Sequence, residues 1–399
     1  MTYSALWFSQ IQFFGSLSFM AVFFALSLGL SWILLYLRLM TMGGRHLLWL
    51  PIYRFWVRIF ALASLLSFAS SMPVLIQLGS LWPHLLPKIQ AVSSPLLTVV
   101  LLSALVFKAA FFGFMLFRQR QLPDWLHAII IFLVALGNTV IALCLLLLVS
   151  WVQTPTGTEW IEGSYVVQSW SALMMNPSWL WYVALFVAAS FVLTSMTMIA
   201  ILALQSLYRP AAEGERRVFE LSVYVGSLAW VLLLVAFIAH SEMIKIHQPA
   251  KAAAAMGQVL IAGMSPPLHW VYWSLRLAML SGFGVFIVLL QGWYLGLWRH
   301  HDLSVLSPLN RKLIMLSGFF GPLLLISGMS YQLFGGLPFV VGQTVTISEV
   351  YAQLSLSQSV VGLLLYGVVY LLFLFGFMVI VRHTTRYGVV AVARHRGRA

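Results

Sequence analysis

Three histidines are the residues best suited to holding a metal or a haem iron. His240, His247 and His269, accompanied by Glu242, Lys251 and Arg276, flank one connection between two long apolar runs. Imidazoles on neighbouring helices can ligate a low-spin haem or a transition metal. Their spacing matches no recognised metal signature, so solvated or hydrogen-bonded histidines are the plainer alternative. Lys108 and Arg276 lie inside apolar runs, where a charge is costly unless it meets water, a partner or an interface. One reading has these two cations bind a propionate, a quinone headgroup or an anionic lipid. The other pairs them with acidic groups or carbonyls of a partner subunit, since the chain has only nine acidic residues.

Those residues must be positioned by membrane helices. Of 399 residues, 62% are hydrophobic and 8% charged, and the mean hydropathy is +0.97, which describes a polytopic membrane protein and excludes an ordinary soluble enzyme. Nine stretches of about 20 apolar residues or more are expected to cross the bilayer as helices. They fall near 14–38, 54–78, 95–117, 126–150, 180–207, 219–240, 269–297, 313–334 and 358–381. None alternates as a membrane β-strand does, so the fold class is an all-α bundle. The start of the chain reads as the first span, not as a removable signal. The single cysteine, Cys144, allows no intramolecular disulfide and reads as a packing residue.

The net charge of +13 is topological. Arg38, Arg45, Arg54 and Arg58 bracket the first connection, Arg118 and Arg120 the third, and Arg209, Arg216 and Arg217 the fifth. Arg299, Arg311 and Lys312 mark the seventh, and five arginines the tail. The other connections carry only Lys88, Lys245 and Lys251. The positive-inside rule then places the N-terminus outside and the C-terminus in the cytoplasm. It also makes nucleic acid an unsuitable partner. The chain is expected to form one membrane domain, 1–399, with outer loops near 151–179, 241–268 and 335–357 and a basic tail, 383–399. The first loop looks like an ordered cap. The second contains an alanine-rich helix ended by Gly257 and stopped by Pro266 and Pro267, and the third suits the interface. Tryptophans near span ends, such as Trp49, Trp125, Trp151, Trp179, Trp181 and Trp270, read as interfacial anchors, and His127 as a surface histidine.

Several segments occur in a telling order. They are QFFGSLSFMAVFFALSLGL (12–30), RFWVRIF (54–60), LIQLGSLW (75–82), LVALGN (133–138), WVQTP (151–155), MNPSW (175–179) and LRLAMLSGF (275–283). In this order and spacing the chain resembles the cytochrome bd quinol oxidase subunit I family, most closely over its first five helices. That resemblance implies nine spans, an outside N-terminus, a bacterial or archaeal plasma membrane, and a place in a heterodimeric respiratory complex that can include small accessory membrane subunits. It also implies a low-spin haem b, a high-spin haem b and a haem d in the family's oxidases.

At the family's haem and proton positions this chain differs. The first-helix histidine falls on Met20, and the two helix-three glutamates fall on Val100 and Lys108. The helix-five histidine falls on Leu185. The helix-seven methionine falls on Ala278, with Met279 beside it and the preceding arginine kept as Arg276. The helix-eight segment that carries a glutamate and an arginine becomes LFGGLPF (333–339). In the shortened quinol loop Gln248 and Lys251 match, while the acidic partner becomes Met256.

Three functions remain open on these residues. The first is a subunit-I-like structural or assembly partner of a haem-bearing subunit, binding no haem itself and lying beside a quinol or lipid site. The second is an electron-transferring subunit with one haem b on new ligands such as His240 and His269. The third is a transporter of a small solute through the vacated cavity, a reading that the absence of inverted repeats and paired broken helices weighs against.

Overall fold

The computed structural model describes residues 2–43, 46–117, 121–259 and 266–387. Among them nine helices are long and apolar enough to cross a bilayer, in agreement with the sequence. The spans are α1 (Thr2–Met42), α2 (His46–Leu81), α3 (Leu85–Ser103, continued to Phe117), α4 (Asp124–Gln153) and α5 (Trp179–Ser206). They continue with α6 (Glu213–His247), α7 (Leu268–Arg299), α8 (Pro308–Ser317 with Phe320–Phe334) and α9 (Leu356–Tyr387). Helices overrun the apolar stretches that announce them. At 41 residues, α1 is about 60 Å long, roughly twice the hydrocarbon core. Hydropathy marks only the slab, whereas the backbone ladder continues into the interface.

The first helix is the axis of the bundle. Its most apolar window is 72% buried, against 12% for α3 and 11% for α9 at the edges. It packs on α2, α4, α5 and α9. With no water to drive association in a bilayer, close packing and small residues hold such helices together. Gly29 of α1 lets α5 approach so closely that a Cβ there would stand 2.2 Å from Thr194 Oγ1. Several buried hydroxyls along α1 are satisfied internally. Ser16 Oγ donates to Gln12 O at 3.1 Å and accepts from Gln77 Nε2 at 2.8 Å, and Ser64 donates to Ser27 at 3.1 Å.

Two spans are irregular. The middle of α3, Ala104–Ala110, is a π-helix, and its Phe107 lies against Gly137 of α4, whose missing side chain makes the room. Lys108 falls in this stretch, and its side chain lies outside the described residues. The eighth span is broken at Gly318–Phe319, where Gly318 meets Ala200 of α5.

The connections after α4, α6 and α8 cap one end of the bundle. The first is ordered as expected, as an antiparallel hairpin of β1 (Thr158–Ile161) and β2 (Ser164–Val167) followed by a short helix, Trp170–Met174. The second holds the alanine-rich helix, Pro249–Ala255, beyond which Gly257 takes φ +81°. Pro266 and Pro267 precede α7, while residues 260–265 lie outside the described residues. The third is a hairpin of β3 (Phe339–Val341) and β4 (Val345–Thr346).

Some expected surface residues are interior. Trp151 is 0% exposed, its Nε1 donating to Thr158 Oγ1 at 3.2 Å, and Trp49 is buried as well. His127 is also fully buried, with Nε2 3.1 Å from Met115 O and its ring edge-on to Tyr53. Proximity to a span end does not reveal whether a ring faces lipid or a neighbouring helix. Trp125, exposed, fits the anchor role. Of the basic tail, only residues up to 387 are described.

Candidate functional site

The cap is organised around one buried lysine. Lys251, on Pro249–Ala255, is 1% exposed. Its ammonium donates to Gln153 Oε1 at 3.2 Å, to Gln332 Oε1, and to Gln332 O at 3.5 Å. It also lies 5.0 Å from the centre of the Tyr331 ring. Every one of these acceptors is neutral, and among the described residues Lys251 forms no ion pair. Burial therefore pulls its pKa down to about 7, where the ammonium and the free amine coexist.

Local structure fixes each partner. Gln153 is the last residue of α4 and belongs to WVQTP. That segment is pinned to MNPSW by Asn176, whose Nδ2 donates to Thr154 O at 2.7 Å and to Thr156 Oγ1 at 3.1 Å. Asn176 Oδ1 accepts from Ser150 Oγ at 2.6 Å and from Ser178 N at 2.9 Å. Two of the sequence motifs are thus one structural lock that ends α4 and starts α5. Gln332 lies in the last turn of α8, where carbonyls lack helical partners. Its main-chain oxygen takes bonds from Lys251 and from Gln153 Nε2 at 3.1 Å. Tyr182 of α5 reaches Gln153 Oε1 at 2.5 Å and Gln332 Oε1 at 3.0 Å. Gly335 leaves space for the lysine stem, as a Cβ there would stand 2.8 Å from Lys251 Cγ.

Beneath this cap lies an apolar cavity of about 430 Å³. Met20, Leu185, Ala278 and Met279 all line it, and Tyr331 and Gln332 form its polar end. Met20, Leu185 and Ala278, scattered through the chain and singled out in the sequence by the resemblance, are thereby brought to one space. Val100 is elsewhere, packed with Phe24, Leu28 and Ile141. No His, Cys, Asp or Glu lines the cavity. Among the described residues no group of three or more such side chains is placed to hold a metal.

The three histidines do not converge. His240 is 2% exposed, its ring edge-on to Tyr182 at 4.7 Å and its Nδ1 3.5 Å from Gln332 Nε2. His247 and His269 are exposed. Gln248 joins α6 to Pro249–Ala255, and its carbonyl accepts from Lys251 N at 3.1 Å. Arg276 finds acceptors within its own chain. It donates to Ala255 O, and its guanidinium lies 3.5 Å over the Tyr272 ring. Sequence reasoning missed Gln153, Gln332 and Tyr182 as members of the cap. An amide inside an apolar run was the available signal, because hydrocarbon rarely accepts one without a partner.

Among the described residues, nine spans around a central α1, capped at one end, define a polytopic helical protein, and a solved structure has a similar shape. The bd oxidase of Geobacillus thermodenitrificans matches with a TM-score of 0.83 at 17% identity, over 96% of this chain and 99% of that one. The chain belongs to the cytochrome bd terminal oxidase subunit I family, whose model matches residues 8–263 and 259–389. It is 25% identical over 267 residues to subunit 1 of the cytochrome bd-II ubiquinol oxidase of Escherichia coli, covering 66% of this chain and 52% of that protein. It is also 25% identical over 250 residues to subunit 1 of the cytochrome bd ubiquinol oxidase of Bacillus subtilis, covering 62% and 53%. The chain therefore spans about half the length of the curated relatives it matches.

Proposed function

We propose that this protein is a subunit-I-like component of a bd-type quinol oxidase complex in the bacterial plasma membrane, with its N-terminus outside. In this reading it supports the assembly of a haem-bearing partner and ligates no haem at the family positions. One observation carries the proposal. Met20, Leu185 and Ala278 line a single cavity that offers no imidazole, thiolate or carboxylate. A b-type haem needs a strong axial donor, usually histidine, and methionine normally serves opposite one. The thioethers of Met20 and Met279 lack that complement. Tyr182, a third conceivable donor, has its hydroxyl engaged by Gln153. The residues present do not fit the cofactor, so no electron-transfer step is assigned to this chain.

The test is a reduced-minus-oxidised spectrum with haem quantitation, on the purified chain and on the complex it copurifies with. The expected outcome is no stoichiometric haem in the isolated chain and haem in the complex. One haem per isolated chain, lost on His240→Ala, would sink the proposal. Failure to copurify with any oxidase subunit would remove the assembly role.

A further inference from the structure

The cavity has an open side as well as a polar end. Leu234 of α6 and Met279 and Phe283 of α7 line it and are also exposed on the outside of the bundle. It thus opens between α6 and α7 onto the hydrocarbon. Its volume of about 430 Å³ lies within the range of ligand pockets, about 300–1,000 Å³. Its wall is almost wholly apolar, which favours hydrocarbon over water.

Two cations stand next to residues that line the cavity. Arg276 precedes the lining residues Ala278 and Met279 on α7 and is half-buried. It donates to two backbone oxygens, Ala255 O and Tyr272 O. Lys251 stands behind Gln332 and Tyr331 at the same end. Among the described residues neither cation forms an ion pair. Along the exposed face of α7, His269, Trp273 and Arg276 give way to Met279, Leu280 and Phe283. That gradient matches a bilayer, with polar and aromatic groups at headgroup depth and apolar ones below. A guanidinium suits phosphate, which it can bind in bidentate fashion.

We propose that the cavity holds one acyl chain of an anionic phospholipid from the adjoining leaflet, its phosphate bound at Arg276. The lipid fills space that the helices leave open and supplies a negative charge to Arg276. This inference rests on the haem-free reading above, and the two fail separately.

The experiment uses the complex purified in mild detergent, with unfolding midpoints recorded after adding phosphatidylglycerol or phosphatidylcholine, and native mass spectrometry to count retained lipid. Phosphatidylglycerol should raise the midpoint by several degrees more than phosphatidylcholine, and one phospholipid per chain should survive purification. Arg276→Gln should make the two lipids equivalent. Gly328→Leu should abolish the retained lipid, because Gly328 lines the cavity and has nothing within 4 Å of its Cβ position. Should that variant fail to fold, Ala278→Phe tests the same space. Equal effects of the two lipids on the wild-type complex would overturn the proposal, as would lipid retained undiminished in a filled cavity. Stoichiometric haem in the isolated chain would overturn the reading beneath it, whereas neither haem nor lipid would overturn this inference alone.

Discussion

Replacing Lys251 by methionine tests how the cap is held, and the answer depends on pH. The lysine is fully buried among neutral oxygens, and its folded pKa is about 7 against 10.5 when unperturbed. Below pH 7 both folded and unfolded chains carry the proton, and the penalty for burying the ammonium is felt in full. Between 7 and 10.5 the unfolded chain binds a proton that the folded one does not, so stability rises with pH. At 1.36 kcal/mol per pH unit, the gain from pH 7 to 9 is roughly 2–3 kcal/mol. Lys251→Met should abolish that rise. Near pH 9 the variant should be less stable than the parent by about 1–3 kcal/mol, because Gln153 and Gln332 lose a donor. Near pH 6 the difference should shrink, since methionine avoids the burial of a charge. The assay is unfolding by denaturing detergent, followed by tryptophan fluorescence from pH 6 to 9. Parallel curves for the two proteins would refute the reasoning.

Two further outcomes are expected. Arg38 is 1% exposed and pairs with Asp124 at 2.5 Å, the aspartate side chain being 51% exposed. Asp124→Asn should therefore cost roughly 1–3 kcal/mol, less than a fully buried pair would, and a double-mutant cycle with Arg38→Met should recover most of it. Gly335→Val should displace the Lys251 stem and flatten the pH dependence as Lys251→Met does, because its side chain would collide with Lys251 Cγ and Cδ.

Much of the fold is legible in hydropathy because the bilayer applies one criterion, apolar length, to every span. All nine were visible for that reason, and the ordered loop around Trp160 was also recognisable. Direction around each helix was less accessible. Trp151 and His127 look like interface residues by position yet face inward, since that choice is made by neighbouring helices. The site was legible in its apolar half. Met20, Leu185 and Ala278 were picked out one by one, and only the bundle reveals that they share a cavity. The polar half was less legible. His240, His247 and His269 are close in sequence, but helix rotation buries the first and exposes the others. Gln153, Gln332 and Tyr182 are far apart in sequence, and their meeting depends on where α4, α5 and α8 end.

The two halves of the site also differ in how change propagates. On the proposed reading, Met20, Leu185 and Ala278 stand where the family has ligands, and apolar side chains in an apolar cavity make no bonds to one another that a replacement would break. The cap has no such independence. Lys251, Gln153, Gln332 and Tyr182 share two amide oxygens and a helix-end carbonyl, so removing any one takes bonds away from the others, and a buried polar atom left unpaired costs about 1–3 kcal/mol. On the proposed reading, this coupling explains how a chain can surrender its iron ligands while keeping Lys251 and Arg276. The cations hold helix ends together whether or not a cofactor lies below them. Lys251 meets its burial by giving up its proton near pH 7, whereas Arg276 keeps its charge, which on the proposed reading an anionic lipid compensates without any new residue.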